Sequence, residues 1–330
     1  MQPVLIAPAP LAGIKASFLD VLRAGGFEPV YPAKQAQLTE AELLEALRGI
    51  PAVIAGSEPY TAAVIAAHPQ LRVIARAGVG YDAVDVAAAT AHGVAVTIAP
   101  GTNQDAVAEH TFALILGLAK NLPSQHNALK AGRWERRANL PVRGRTLGIV
   151  GLGRIGKAVA LRAKAFAMPL LAYEPYPDHS FVAEHGIRLV SLETLLAESD
   201  FVSLHVPLTP ESRYLINRRT LGLMKPTAFL VNTARGGLVN EADLLQALQA
   251  GWIAGAALDV FEEEPPPADH PLLALENVLV TPHAAGVDLQ SRDEMAHSAA
   301  SAIVALSRGQ WPAEQIVNPE VRPHFRWSIS

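Results

Sequence analysis

The run Gly151-Leu-Gly-Arg-Ile-Gly156 directly follows the apolar stretch at residues 146–150 and directly precedes a helix-like run at 157–166. That order restricts the chain more than any other feature. A buried strand has to enter a tight turn, and a helix has to leave it with its first N–H groups aimed outward. Gly151 permits the turn, Gly153 lets the backbone approach a pyrophosphate, and Gly156 lets the helix pack closely on the strand. The unsatisfied N–H groups and positive dipole end of that helix then hold phosphate. Glycine-rich turns are common, so the spacing alone is a weak signal. The next strand-like run, residues 169–173, strengthens it by ending on Glu174, 18 residues beyond Gly156. A carboxylate there accepts from the adenosine ribose hydroxyls. Together these features predict a bound dinucleotide. Glu174 would repel a 2′-phosphate, and Pro175-Tyr-Pro-Asp178 offers no cation to offset it, so NAD is expected over NADP.

At 330 residues the chain has the length for two domains. A first series places strand-like runs at 4–7, 27–31, 52–55, 71–75 and 94–98, with helices at 14–22 and 39–47. Thr39-Glu-Ala-Glu42 is a capping box that fixes the start of the second of these helices. A second series begins at 146 and continues with strands at 169–173, 187–190, 201–204, 228–232, 255–258 and 278–281. Such alternation predicts parallel sheets with helices on both faces. Between the two series lie an apolar helix at 106–119 and a loop-like arm at 122–144. The arm holds Trp134 with Arg133, Arg136, Arg137 and Arg143. Trp134 reads either as an interface anchor or as a side chain packed within its own subunit. A helix at 289–307 is expected to cross back to the first domain, and 317–321 reads as a terminal extension. The expected class is α/β: two doubly wound parallel-sheet domains with a cleft between them.

Composition excludes several functions. Half the residues are hydrophobic and 18% are charged, enough for a sizeable core, and the net charge of −4 comes with scattered Lys and Arg. No basic stripe suggests nucleic acid. The absence of cysteine removes disulfides, thiolate metal sites and cysteine nucleophiles, and suits a reducing compartment. The N-terminal residues lack the charged and long apolar regions of a signal peptide. No apolar run reaches the roughly 18 residues of a membrane span. A soluble, cytoplasmic protein without metal, membrane or nucleic-acid partner is expected.

Three strand ends carry chemistry. Asn232-Thr-Ala-Arg-Gly-Gly237 closes the strand at 228–232, and ligands bind outside the carboxyl ends of such strands. Arg235 can hold a carboxylate bidentately and polarise an adjacent carbonyl, with two glycines leaving room for close approach. Gly255-Ala-Ala-Leu-Asp259 ends another strand and leads to Glu262, Glu263 and Glu264 before Pro265. Three successive glutamates often form a solvated face, although Pro265 restricts Glu264 to extended geometry. His283 follows Thr281-Pro282 at a third carboxyl end, with small residues after it, and suits proton exchange near neutrality. A carboxylate on its far ring nitrogen would favour the charged ring and set the tautomer, and Glu264 is the natural candidate. The economical reading is hydride movement between a nicotinamide and a carbon bearing oxygen. Histidine handles the hydroxyl proton and arginine binds the neighbouring carboxylate.

Seven blocks in order extend this pattern: Arg76-Ala-Gly-Val-Gly-Tyr-Asp82; Asn103 with Ala106-Val-Ala-Glu-His-Thr111; Gly151-Leu-Gly-Arg-Ile-Gly156; His205-Val-Pro-Leu-Thr209; Asn232-Thr-Ala-Arg-Gly-Gly237; Leu258-Asp-Val-Phe-Glu-Glu-Glu-Pro265; and Pro282-His283. In these the chain resembles the D-isomer-specific 2-hydroxyacid dehydrogenases over nearly its whole length. The resemblance implies a flavodoxin-like substrate domain (1–99 plus 289–330) and a Rossmann NAD-binding domain (100–288), the latter including a dimerisation helix and arm (103–144). It implies Arg235, Glu264 and His283 as the catalytic trio, which selects Glu264 among the three glutamates. Gly151, Gly153, Arg154, Ile155, Gly156, Glu174, His205, Val206, Pro207, Thr233, Ala234, Asp259, Ala285 and Gly286 would line the cofactor. Backbone N–H groups at Val79 and Gly80 would take the substrate carboxylate, with Ser57 and Arg76 in the same site. A homodimer built on the helix after Asn103 and on the arm is also implied.

Two departures bear on function. Val287-Asp288 stands where the family often carries a Thr, and Asp288 can still cap the next helix. Phosphoglycerate dehydrogenases usually place an Arg before a Ser-x-Thr-like loop, whereas this chain has Gly56 there with Glu58 nearby. The chain also reads as lacking the regulatory domain some of them carry. The leading expectation is therefore an NAD-dependent oxidoreductase acting on a small 2-keto or D-2-hydroxy acid such as hydroxypyruvate or glyoxylate. A D-3-phosphoglycerate dehydrogenase and an NAD-sensing, corepressor-like binding protein are the alternatives.

Overall fold

Strands that are buried at every position, rather than at alternate ones, have to be covered on both faces, and both sheets of this chain contain them, as at Ala52–Ala55 and Leu147–Val150. The computed structural model describes residues 1–327, which form two units: Met1–Asn103 with the chain from Val287 onward, and Gln104–Gly286.

In the first unit β1 (Gln2–Ile6), β2 (Phe27–Val30), β3 (Ala52–Ala55), β4 (Val73–Arg76) and β5 (Ala95–Thr97) form a sheet ordered β2-β1-β3-β4-β5. Every pairing in it is parallel. Side chains of β3 alternate between two cores: Ala52 and Ile54 join Phe18, Leu22 and Ile303, while Val53 and Ala55 join Leu43, Tyr60 and Val64. The Leu289–Ser307 helix supplies Ile303 and packs on the Ser17–Ala24 helix and on β4. Asp288 caps it by accepting from Ser291 N at 2.7 Å. The Glu40–Ala46 helix is opened by Thr39 and Glu42 in a reciprocal capping box.

In the second unit β6 (Leu147–Val150), β7 (Leu170–Tyr173), β8 (Arg188–Leu189), β9 (Phe201–Leu204), β10 (Phe229–Asn232), β11 (Gly255–Leu258) and β12 (Val278–Val280) follow one another. Their order is β12-β11-β10-β9-β6-β7-β8, again wholly parallel. One face is covered by the Gln104–Ala119 and Arg154–Ala165 helices through Phe112, Ile115, Val159 and Ala163. The other is covered through Leu195, Leu244 and Ala247 of the Leu192–Glu198 and Glu241–Gln249 helices. Sheet order reverses between β6 and β9, the position where a doubly wound sheet opens a crevice for ligands.

Two expectations are corrected. The arm at 122–144 is not loop-like throughout, because Leu122–Lys130 is a nine-residue helix. Its proline lies in the first turn, where the missing N–H has no helical partner to lose. Segment 317–321 is more than an extension. Asn318 is fully buried, accepts from Val96 N at 2.9 Å and donates to Val94 O at 3.0 Å. A side-chain amide of this kind replaces the ladder bonds that an edge strand lacks. Trp134, at 79% exposed, is not packed within its own subunit.

Candidate active site

At the reversal point the β6 turn and the end of β9 press together. Gly151 has φ +97°, and a Cβ on it would lie 2.8 Å from the backbone of His205. A Cβ on Gly156 would lie 2.1 Å from the carbonyl oxygen of Gly151. At Gly153 nothing lies within 4 Å of that position. Two of the glycines are thus demanded by packing, and the third leaves open space at the helix start. Gly153 is the N-cap residue and provides no side-chain cap, so Arg154 and Ile155 open the helix with N–H groups that no capping side chain satisfies. Glu174 accepts from Leu152 N at 2.8 Å and from Tyr176 N at 3.0 Å, which brings its carboxylate to the glycine turn. Each of those bonds uses one lone pair, so acceptor capacity remains for hydroxyls.

His205, Val206 and Pro207 continue from β9. Nε2 of His205 lies 2.8 Å from Ser203 Oγ, while Nδ1 is buried without a partner among the described residues. Although part of the residue is exposed, burial of the ring pushes its pKa down to about 3. A neutral imidazole with an orphaned nitrogen therefore stands on the residue whose backbone lies against Gly151. Open space at Gly153, uncapped N–H groups, an acceptor at Glu174 and this orphaned nitrogen fit a dinucleotide.

Beyond β10, Asn232 holds the next loop from both ends, accepting from Ala234 N at 3.0 Å and donating to Arg235 O at 2.9 Å. Thr233 is buried, and the Arg235 side chain donates to Ala234 O at 2.6 Å. The glycines after Arg235 do not leave room for a ligand, as the sequence suggested. A Cβ on Gly236 would fall 1.9 Å from the carbonyl carbon of Phe261. That space holds the loop that carries the acids after β11, so the Arg235 and Glu264 loops are packed backbone to backbone.

The three glutamates are sorted by their partners. Glu262 accepts from Tyr214 Oη at 2.6 Å and from Glu241 N at 3.0 Å. Glu263 is exposed. Glu264 accepts from Phe261 N at 3.0 Å through Oε1, and its Oε2 lies 2.7 Å from His283 Nδ1. Burial works to raise the Glu264 pKa, but the hydrogen bond and charge of His283, the Phe261 N–H and the charge of Arg235 outweigh it and lower the value. The carboxylate form is thereby favoured beside the imidazole. His283 itself is exposed and sits at φ +52°. Asp259, fully buried, accepts from Thr281 Oγ1 at 2.5 Å and from the N–H groups of Ala284 and Ala285 at 2.9 Å each. Gly286 follows directly, half-buried.

In the first unit Arg76 is buried at the end of β4, donating from Nε to Gly80 O at 2.8 Å and from a terminal nitrogen to Ala55 O at 3.3 Å. These bonds shape the backbone at Val79 and Gly80, both half-buried. Ser57 is exposed beside Glu58, which is only 2% exposed and accepts from Gly56 N at 2.6 Å. A Cβ on Gly56 would sit 2.7 Å from that carboxylate. Burial raises the Glu58 pKa against the opposing pull of Gly56 N and Arg76.

Sequence reasoning passed over Asn232, Thr281, His110 and Thr111 as contributors, although all four lie within or beside the quoted blocks. Their signal was a short polar side chain at or just after a strand end, or a polar pair inside an otherwise apolar helix. Among the described residues no group of three or more His, Asp or Glu is placed to hold a metal ion, and no helix is long and apolar enough to cross a membrane.

Residues 112–285 match the family described as D-isomer specific 2-hydroxyacid dehydrogenase, NAD binding domain. A glyoxylate reductase from Korarchaeum cryptofilum is 46% identical over 271 residues, covering 80% of this chain and 81% of that one. A D-3-phosphoglycerate dehydrogenase from Archaeoglobus fulgidus is 40% identical over 314 residues, covering 94% of this chain but 59% of that longer one. Among solved structures, the D-lactate dehydrogenase of Aquifex aeolicus, complexed with NAD and lactic acid, is similar at a TM-score of 0.82. It shares 29% identity, covering 96% of this chain and 99% of that one.

Proposed function

The chain belongs to the D-isomer specific 2-hydroxyacid dehydrogenase family and is an NAD-dependent oxidoreductase, and we propose that it reduces small, unphosphorylated 2-keto acids of the glyoxylate or hydroxypyruvate type to D-2-hydroxy acids. The observation that carries the chemistry is the 2.7 Å contact between His283 Nδ1 and Glu264 Oε2. With Nδ1 occupied, Nε2 is the ring atom that holds and delivers the proton to the carbonyl oxygen. Glu264, held as a carboxylate, orients the ring and sets its tautomer. Arg235 binds the substrate carboxylate and polarises the adjacent carbonyl. Gly151 to Gly156, Glu174 and His205 would hold NADH at the glycine turn, where it would supply the hydride for C2. In the first unit the N–H groups at Val79 and Gly80, in a backbone shaped by Arg76, take a carboxylate.

The preference for an unphosphorylated substrate rests on Glu58. A buried carboxylate fills the space beside Gly56, and two donors of Arg76 are committed to backbone carbonyls. The carboxylate of Glu58 acts on Arg76 electrostatically and offsets its charge, which disfavours a phosphate dianion there. The functional dimer is built on the arm, with Trp134 as its anchor, and the enzyme works in the reducing cytoplasm, where a chain without cysteine is at no disadvantage.

The test is NADH oxidation by the purified protein against glyoxylate, hydroxypyruvate, pyruvate, longer 2-keto acids and 3-phosphohydroxypyruvate. Preference for a small unphosphorylated acid is expected. Preference for the phosphorylated one would overturn the substrate assignment, and inactivity on the whole panel would overturn the reaction.

A further inference from the structure

Two adjacent residues of the Gln104–Ala119 helix each reach a different strand-end loop. Thr111 Oγ1 lies 3.1 Å from Thr233 Oγ1, two residues before Arg235. His110 Nε2 lies 3.0 Å from Thr281 Oγ1, two residues before His283. Proton bookkeeping fixes the direction of both contacts. The Thr111 hydroxyl already donates to Val107 O at 2.8 Å, so Thr233 must donate to Thr111. The Thr281 hydroxyl donates to Asp259 Oδ1 at 2.5 Å, so His110 must donate to Thr281 and carries its hydrogen on Nε2.

The second contact joins a larger device. Asp259, with no exposed surface, grips Thr281 on one side of His283 and Ala284 and Ala285 on the other. His110 Nε2 also lies 3.6 Å from its Oδ1 and is the imidazole facing that buried carboxylate. Between the gripped residues His283 holds a left-handed backbone at φ +52°. A side chain with a Cβ is strained there and keeps that conformation only where its surroundings over-determine it. The helix that presents both contacts is itself buried along most of its length and packs on β10, β11 and β12. It reaches the ends of β10 and β12 through these two side chains.

We propose that His110 and Thr111 are positioning residues, which fix the spacing between the Arg235 loop and the His283 loop by tethering both to neighbouring positions of one buried helix. This rests on the proposed roles of Arg235 and His283. Neither positioning residue touches the substrate. They set the distance between the carboxylate clamp and the proton donor, which have to meet two ends of one small molecule.

The experiment compares T111V and H110L, which remove the tethers, with T111S and H110Q, which preserve an acceptor and a donor. Thr111→Val keeps the shape of the side chain, so it reports even where His110→Leu does not fold. T111V and H110L are expected to lower kcat on glyoxylate by between about tenfold and 100-fold, the scale of a small misplacement of catalytic groups. The Kd for NADH should stay within about threefold of wild type, with T111S and H110Q near wild type. H110L, but not H110Q, should move the pH midpoint of the kcat profile. Equal losses in the conservative variants, or unchanged kcat in T111V and H110L, overturn the proposal. A wild-type protein inactive on every 2-keto acid overturns the functional reading instead. In that event the His283 ring resonances in 15N-histidine spectra decide the tether: a shift in H110L supports it, and spectra identical to wild type overturn it.

Discussion

His283 Nδ1 stands 2.7 Å from Glu264 Oε2, while the other oxygen of that carboxylate is held at 3.0 Å by the N–H of Phe261. One acid therefore fixes the ring to the start of its own loop, leaving the opposite ring nitrogen for chemistry. Removing the imidazole should remove proton transfer without disturbing the glycine turn. His283→Ala is expected to lower kcat by roughly 10²–10⁴-fold, the usual worth of a general acid–base group. Fluorescence titration should give an NADH Kd close to wild type. Equal loss of turnover and NADH affinity would sink the assigned role.

Gly236 allows the Arg235 loop to lie against Phe261, and a Cβ there would meet backbone 1.9 Å away. Backbone cannot yield as a flexible side chain does. Gly236→Ala should shift the loop that carries Glu264 and cost about 1–3 kcal/mol or more of stability. Thermal unfolding and kcat are the measurements. A variant that keeps both would show that the close approach of the two loops is dispensable.

The pKa of His205 is lowered from 6.5 to about 3 by burial. The sign follows directly: between those values the unfolded chain binds a proton that the folded protein refuses, so acid favours unfolding. Stability referable to this ring is complete above pH 6.5 and is lost as the pH falls toward 3. By pH 5 the loss amounts to about 2 kcal/mol, at 1.36 kcal/mol per pH unit. Urea unfolding of wild type and His205→Gln at pH 7.5 and 5 checks this. The variant should show a smaller difference between the two pH values, and an identical difference in both proteins would refute it.

Glu58 should govern tolerance of phosphate. With Glu58→Gln the hydrogen bond from Gly56 keeps an acceptor while the buried negative charge disappears. The ratio of kcat/KM for 3-phosphohydroxypyruvate to that for hydroxypyruvate should rise by about tenfold, an effect near 1.4 kcal/mol. An unchanged ratio would mean that the carboxylate only shapes the loop.

Trp134 is 79% exposed in the single chain, where a large aromatic gains little from solvent. If it anchors a dimer, Trp134→Ala should shift the mass measured by light scattering toward that of the monomer at micromolar concentration. A wild-type protein that is monomeric throughout would dismiss the dimer altogether.

The strands and the glycine turn were legible because local rules specify them. Runs such as Ala52–Ala55 are apolar at every position, and a strand of that kind has to lie inside a parallel sheet. Thr39 and Glu42 announced a helix start because both partners of the capping box lie three residues apart. Leu122–Lys130 was not legible as a helix within the loop-like arm, because few of its residues are apolar and a proline stands near its start, although in the first turn proline is compatible with a helix. Asn318 gave no local sign, since its partners Val94 and Val96 are more than two hundred residues away along the chain.

At the site the division is the same. The sequence by itself determined which residue types stand at the ends of β10, β11 and β12, because a strand end followed by a polar residue is a local pattern. Only the tertiary structure decided how they are joined: that Phe261, and not a ligand, fills the space beside Gly236; that Glu262 turns to Tyr214 and Glu241 while Glu264 turns to His283; and that His110 and Thr111 reach two different loops. The physical reason is range. Propensity, capping and hydrophobic period act over a few residues, whereas a hydrogen bond across strand ends depends on the register of a sheet that exists only once the whole chain has packed.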